Sequence, residues 1–255
     1  MDTLVLQFAK FLMVLARISG LFFTAPLFSS PNIPYPIKAG LILLISLVAA
    51  PISIGFIGNP PENMIAFAIL VASEILIGLL IGLFAQFIVS LFAISGDFYS
   101  VPMGFAISNI FDPMSETEQP VIGQLVGLFG LLVFVTISGP QTILYSLINS
   151  FKSVSCLSLS QTNIISTSVI ELFCKMFATA LSIAVPMIAV LFLVNLSLGL
   201  LSKAAPLINV MVVGFPITII AGLITLFFIF PVLYSVALSI FDGLFIDIDQ
   251  LLLRL

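Results

Sequence analysis

Residues Gly96 to Pro120 read GDFYSVPMGFAISNIFDPMSETEQP, and they form the most polar internal passage of a chain of 255 residues. The passage lies between two long apolar blocks, and it holds four of the eleven acidic residues: Asp97, Asp112, Glu116 and Glu118. A connection of this length without a repeating pattern is usually functional or disordered. Its many aromatic and aliphatic side chains argue against disorder. The sequence therefore predicts an ordered central loop over residues 96–120 that packs against other parts of the structure.

The composition of the whole chain is that of a membrane protein. Hydrophobic residues make up 61% of it and charged residues 7%, and the mean hydropathy is +1.35. Such a chain cannot cover itself with a water-compatible surface. Spans of roughly 20 residues and their connections leave room for about six helices and for no separate soluble domain. We therefore predict one all-α unit of helical hairpins, with kinked and broken helices, in contact with membrane lipid.

The charges and the missing residue types exclude several classes of function. Eleven acidic and seven basic residues are spread thinly and give a net charge of −4, so no nucleic-acid-binding face or polybasic lipid patch is present. The chain has no histidine and only two cysteines, Cys156 and Cys174, which removes the usual zinc clusters and histidine acid–base chemistry. We find no catalytic constellation, and we expect no enzyme, no cofactor and no metal site.

Four charged residues inside the apolar runs are candidates for buried pairing or for contacts between subunits: Arg17, Glu74, Glu171 and Lys175. Arg17 lies deep in the first run, so an interior or intersubunit partner is expected. For Glu74, a functional or subunit-pairing role stands beside a buried hydrogen bond to a neighbouring helix. Glu171 and Lys175 are four residues apart with the acid first, which favours mutual neutralisation on one helix, with a proton relay as the alternative.

Several apolar runs are overlong or interrupted by proline. The run from Met64 to Ile94 exceeds what a bilayer requires, and its Gly78 and Gly82 favour close contact with another helix. Proline and glycine predict breaks or kinks at three places: residues 25–36, Gly139–Pro140 and Pro186. Pro216 and Pro231 predict that the last run, over about residues 207–240, forms two helical pieces, with an amphipathic terminal helix after it. Such runs suit helices that are covered by other subunits.

Short motifs along almost the whole chain match one family in their order and spacing. They are Arg17-Ile18-Ser19-Gly20 with Ala25-Pro26, Ile33-Pro34 with Lys38, Glu74-Ile75-Leu76-Ile77-Gly78, Met103-Gly104-Phe105-Ala106, Asp112-Pro113, Pro120-Val121, Ala205 to Val210, and Val213-Gly214-Phe215-Pro216. On these motifs the chain resembles the family of the flagellar biosynthetic protein FliR and its relatives in virulence type III secretion.

The resemblance implies a subunit of the export gate of a type III secretion apparatus. Members of the family assemble with FliP and FliQ into a helical, cone-shaped complex through which unfolded polypeptides leave the cytoplasm. By this resemblance, residues 1–160 are a FliP-like part that includes the central loop, and residues from about 161 to 255 are a FliQ-like hairpin with a C-terminal tail. The implied location is the bacterial inner membrane at the base of the flagellar basal body, beside FlhB-like and FlhA-like export components.

The resemblance also implies that residues 103–119 project toward the central passage and help to close it. The residues that would supply an apolar, water-excluding surface are Met103, Phe105, Ile107, Ile110, Phe111 and Met114. Asp112 and Pro113 are predicted to set a turn within the loop. The alternative interpretation is that these side chains pack against the flanking helices as an ordinary ordered loop.

Other classes of function compete with this interpretation. Within the family, the alternative is the virulence homologue of the same gate. Outside it, a secondary transporter also combines broken helices with intramembrane charges, and it would be active as a single chain with a site near Glu74 or Glu171. An intramembrane protease is weaker, because the chain has no histidine and Gly96-Asp97 lacks the first glycine and the second aspartate that an aspartyl site needs.

Overall fold

A computed structural model describes residues 3–105, 120–153, 162–205 and 210–254, with side chains described over these ranges except at positions 3, 162–166, 210–211 and 244–254. Within these ranges the chain is helical and contains no β-strand. The elements are α1 (Thr3–Thr24), α2 (Tyr35–Ser53) with a 3₁₀ turn (Ile54–Phe56), α3 (Met64–Met103), α4 (Val121–Thr136), α5 (Gly139–Ser153), α6 (Thr162–Ala204) and α7 (Val210–Arg254).

The all-α prediction is confirmed, and so is the number of long apolar segments. Five helices of the described part are long and apolar enough to cross a membrane, and a sixth span results if α4 and α5 are counted together as one bent span. The 40 residues of α3 and the 43 residues of α6 greatly exceed a single crossing. At a rise of about 1.5 Å per residue each is roughly 60 Å long, about twice the hydrocarbon thickness of a bilayer.

Two of the predicted breaks lie where proline and glycine placed them. α1 ends at Thr24, directly before the proline-rich hinge, and α2 begins at Tyr35. α4 ends at Thr136, and α5 begins at Gly139 with Pro140 in its first turn. A proline is tolerated there because a first-turn residue has no intrahelical partner for its N–H group. Ser138 between the two helices has a φ of 60°, a left-handed conformation that ends the first helix.

The prediction of two pieces in the last run is wrong. α7 is one helix of 45 residues that continues through Pro216 and Pro231, and it includes the tail that was predicted as a separate terminal helix. α6 also continues through Pro186, so it has no break there, and the kink predicted at Pro186 stays a prediction. Each proline removes one backbone hydrogen bond. Ending a helix in apolar surroundings would leave several backbone groups unpaired, which is the less favourable outcome.

The predicted start of the central loop is also wrong, because α3 continues past Gly96 as far as Met103. The polar residues of this stretch led to the interpretation as a loop. In the structure Ser95, Tyr99 and Met103, which are four residues apart, are all buried, so they share one inward helix face. Residues 106–119, the remainder of that loop before Pro120, lie outside the described residues.

The chain divides into two compact units of interleaved segments. Unit 1 contains Met1–Ile88, Phe134–Phe173 and Phe241–Leu255, and unit 2 contains Val89–Val133 and Cys174–Ile240. In unit 1, α1 packs on α2 and α2 packs on α5. The core of unit 2 includes buried side chains of α3, α4, α6 and α7: Phe92, Val126, Met187 and Leu233. The division near residue 160 that the family resemblance implied stays a prediction.

Candidate functional site

In unit 1, α1 and α3 touch through their backbones at three glycines. A Cβ atom on Gly20 would meet the carbonyl oxygen of Ile75, one on Gly78 would meet that of Arg17, and one on Gly82 would meet the Thr24 hydroxyl. The Thr24 hydroxyl donates a hydrogen bond of 2.9 Å to the carbonyl of Leu79 across the same contact. The predicted role of Gly78 and Gly82 in helix packing is confirmed, and α1 is the partner helix.

This close contact brings together two of the charged residues that the sequence singled out. Nε of Arg17 lies 2.5 Å from Oε2 of Glu74, and both side chains are fully buried. An isolated charge in such a place is very unfavourable, whereas a hydrogen-bonded pair is tolerated. The two residues are 57 positions apart in the chain, so their pairing fixes the register of α1 against α3.

A third helix, α5, also contacts Arg17. Its Nη1 donates to the hydroxyl oxygen of Ser150 on α5 at 2.7 Å, and its guanidinium carbon lies 3.9 Å from the centre of the Phe151 ring. Ser150 in turn donates to the carbonyl of Leu147 at 2.6 Å. We call Arg17, Glu74, Ser150 and Phe151 the charged cluster. It ties three helices of unit 1 together by charge, hydrogen bonds and a cation–π contact.

The structure tests the sequence-based expectations for only some of the charged residues. The interior partner expected for Arg17 is Glu74 of the same chain. Glu171 and Lys175 lie on α6 with exposed side chains and are not members of the charged cluster. Their predicted mutual neutralisation and the proton-relay alternative stay predictions. Lys10, on α1, donates to the carbonyl of Ile57 at 2.7 Å, beside the 3₁₀ turn.

Sequence reasoning missed the contribution of α5. Its inward face consists of apolar and hydroxyl side chains at helical spacing, all of them buried: Ile143, Ser146, Leu147, Ser150 and Phe151. Two serines four residues apart on an otherwise apolar face are a signal that a polar partner lies opposite. That signal identifies the face, but it does not identify Arg17 as the partner of Ser150.

In unit 2, the C-terminal end of α3 is held by α7. Met103 is fully buried, and its side-chain atoms occupy the place where a Cβ on Gly222 would lie. The hydroxyl of Thr218 is 3.2 Å from the carbonyl oxygen of Met103 and 3.0 Å from that of Phe215, so it is shared between a contact to α3 and one within α7. Met103, predicted as part of a pore-closing surface, is therefore an anchoring side chain in this structure.

The turn after α3 has a special backbone conformation. Gly104 has a φ of +94°, which side chains other than glycine rarely adopt, and a Cβ there would lie 3.0 Å from the ring of Phe215. Asn195 on α6 approaches the carbonyl of Pro102 at 3.4 Å. Beside this turn, α3, α6 and α7 line a crevice of about 480 Å³ that is open on one side.

Of the predicted pore-closing residues, the structure describes only the first two. Phe105, half-buried, directly follows the Gly104 turn. The other residues of the predicted closing surface and its turn lie outside the described residues: Ile107, Ile110, Phe111, Asp112, Pro113 and Met114. The described part of the chain contains no group of three or more histidine, cysteine or acidic residues that could hold a metal ion.

These observations define the class of protein to which the chain belongs. The chain is a helical membrane protein whose spans are joined by a buried ion pair and by glycine contacts. It belongs to the bacterial export proteins, family 1, because the model of that family matches residues 8–244. The resemblance seen in the short motifs is thereby confirmed.

Relatives match over nearly their full length. The flagellar biosynthetic protein FliR of Bacillus subtilis (strain 168) is 31% identical over 248 residues, which cover 95% of this chain and 94% of the relative. The protein of the same name in Pectobacterium carotovorum subsp. carotovorum is 31% identical over 250 residues, with coverage of 97% and 94%. That of Escherichia coli (strain K12) is 28% identical over 232 residues, with coverage of 91% and 88%.

Proposed function

We propose that this chain is a non-enzymatic subunit of the flagellar type III export gate. It assembles with FliP-like and FliQ-like subunits, works beside FlhB-like and FlhA-like components, and passes unfolded polypeptides out of the cytoplasm. Its location is the bacterial inner membrane at the base of the flagellar basal body. The proposal is supported by the family membership and by the near full-length similarity to proteins named flagellar biosynthetic protein FliR.

The observation that carries the assembly is the amount of apolar surface on overlong helices. On α6 and α7 large apolar side chains are left exposed, among them Phe192 at 63%, Phe227 at 74% and Phe228 at 72%. Lipid covers such side chains only over the roughly 30 Å of a hydrocarbon core, about half the length of each of these helices. The remaining apolar surface requires protein neighbours, since patches of this kind mark interaction sites.

Co-expression tests the assembly directly. The chain is expressed with FliP-like and FliQ-like partners, and we expect it to form a stable complex with them in detergent. The double variant Phe227→Ser with Phe228→Ser should no longer join that complex. The matched control is Phe227→Leu with Phe228→Leu, which keeps an apolar surface and should retain the complex. A chain that purifies alone as a stable monomer and never joins the partners would contradict the proposal, and transport activity of that monomer would favour a secondary transporter.

The proposed closing element is the stretch from Met103 to Gln119. A passage wide enough for a polypeptide must hold back small ions when idle, and apolar side chains do so by excluding water. Phe105, Ile107, Ile110, Phe111 and Met114 supply that surface, with Asp112 and Pro113 as its turn. Support comes from the neighbouring structure, because buried Met103 fixes the start of the stretch to the helices of unit 2.

Deletion of residues 107–114 tests the closing element. We expect cells that carry the deletion to leak ions through an assembled gate, and Phe111→Ser with Met114→Ser to leak less severely. The control is Phe111→Leu with Met114→Leu, which keeps the apolar surface. Unchanged ion permeability with a fully assembled gate would favour the alternative, in which these side chains pack against the flanking helices as an ordinary ordered loop.

The flagellar role is favoured over the virulence alternative by the names of the relatives. Restoration of motility in a strain lacking its own FliR distinguishes the two.

A further inference from the structure

Three carbonyls at the C-terminal end of α3 have donors from outside the regular helical pattern. The last four carbonyls of a helix have no intrahelical donor. In α3 the carbonyl of Val101 accepts the Gly104 N–H at 3.0 Å, that of Pro102 is approached by Asn195, and that of Met103 by Thr218. Two of these donors are side chains from helices more than ninety residues further along the chain, Asn195 on α6 and Thr218 on α7.

The fit of side chains at this end is equally specific. Gly222 leaves the space that Met103 fills, so any larger residue there would displace the methionine. Phe215 lies over Gly104, whose positive φ turns the chain out of the helix at that point. Thr218 is buried, which makes its hydrogen bonds more valuable than those of an exposed hydroxyl. We call Asn195, Phe215, Thr218 and Gly222 the seat, and Val101 to Phe105 the loop foot.

We propose that the seat positions the loop foot, so that Thr218 and Gly222 are positioning residues for closure of the passage. The inference rests on the proposed function, since it assigns to α6 and α7 the support of the closing element. A closing surface attached to a loose end would sample many positions and seal poorly. A foot fixed by a buried methionine, a left-handed glycine and capping hydrogen bonds gives the closing element one fixed point of attachment.

The experiment measures backbone hydrogen exchange at the loop foot and ion permeability of the passage separately. It uses the full chain, co-expressed with its partners. The variants are Thr218→Val, which keeps the shape of the side chain but loses the hydroxyl, and Gly222→Ala, which displaces Met103. Hydrogen exchange by mass spectrometry follows the backbone amides of residues 99–105, and ion permeability of cells follows the idle passage. Loss of one buried hydrogen bond should accelerate exchange at the loop foot about fivefold. Both variants should also make cells leaky while the complex still assembles.

Matched controls lie on the same helix. Thr218→Ser retains the hydroxyl and should behave as the unaltered chain. Thr225→Val removes a hydroxyl whose hydrogen bond of 2.7 Å runs within α7 to Ala221, so exchange at residues 99–105 should not change. Gly243→Ala places a methyl group where a Cβ meets nothing within 4 Å. It should leave both measurements unchanged.

The outcomes separate this inference from the proposed function. Faster exchange with ion leakage supports the seat. Unchanged exchange in Thr218→Val and Gly222→Ala overturns it, whatever the permeability. Faster exchange without leakage, in cells where deletion of residues 107–114 does leak, also overturns it, because the foot then moves without affecting closure. If that deletion causes no leakage, the proposed closing function fails, and exchange alone decides whether the seat holds the foot.

Discussion

Two regions that involve α3 hold their helices by different physical means. In the charged cluster, Arg17 and Glu74 are both ionisable and fully buried. At the seat, the neutral hydroxyl of Thr218 contacts the carbonyl of Met103 in the loop foot, beside an open crevice. Removing one partner of a buried ion pair costs about 3–5 kcal/mol, whereas a neutral hydrogen bond contributes about 1 kcal/mol.

The two regions therefore differ in how strictly they specify the packing of their helices. Wrong registers of α1 against α3 would leave a charge buried without its partner, so the charged cluster specifies a single arrangement. The seat holds no buried charge, so the loss of one of its hydrogen bonds carries a smaller penalty. Strong specification therefore suits the scaffold in unit 1, and several neutral contacts anchor the start of the proposed closing element in unit 2.

The largest effect should come from removing one member of the ion pair. Glu74→Leu leaves the guanidinium of Arg17 buried without a carboxylate, and we expect it to lower the free energy of unfolding by about 3–5 kcal/mol. The measurement is denaturation by SDS in mild detergent micelles, supported by the yield of assembled complex. Because the pair is buried, the loss should change little with salt concentration.

The double variant Arg17→Met with Glu74→Leu is the control for that prediction. Replacing both members of a buried ion pair by apolar residues of similar size is often neutral or stabilising. We expect the double variant to recover most of the stability lost in Glu74→Leu. If it is as unstable as the single variant, the cluster holds the helices by something other than charge pairing.

An intermediate effect should come from the glycines at the same contact. Gly78→Ala pushes a methyl group into the backbone of α1 at Arg17, and overpacking of this kind costs about 1–3 kcal/mol. Gly40→Ala on α2 is the control, because a Cβ there meets nothing within 4 Å and alanine favours a helix by up to about 1 kcal/mol. SDS denaturation should place the two variants on opposite sides of the unaltered chain. A stable Gly78→Ala variant would show that α1 and α3 can separate without loss.

Sequence reasoning succeeded where single residues decide the local backbone. The hinge before Tyr35, the break before Gly139 and the contact role of Gly78 all follow from what proline and glycine do to any chain. It failed where the surroundings decide. Pro216 and Pro231 looked like breaks, but in an apolar setting a helix with two missing hydrogen bonds is preferable to exposed backbone ends.

Contacts between residues distant in sequence could not be predicted, for a different reason. Runs that are apolar on all sides carry little periodic signal, so the face on which Glu74 lies could not be matched to the face of Arg17. The two are 57 residues apart, and Thr218 is 115 residues from Met103. Polar residues in such runs indicate that a partner exists, and only the packed structure shows which residue it is.

The smallest effect should come from Thr24, the counterpart in unit 1 of Thr218. Its hydroxyl also bonds to a carbonyl on another helix, that of Leu79. Leu79 lies in the interior of α3, where its carbonyl also accepts the helical N–H bond, so Thr24→Val leaves no acceptor unpaired. We expect a loss of only about 0.5–1 kcal/mol in SDS denaturation, with the register held by the ion pair. A loss as large as that of Glu74→Leu would mean that the hydroxyl contact, and not the buried charges, sets the register of α1 against α3.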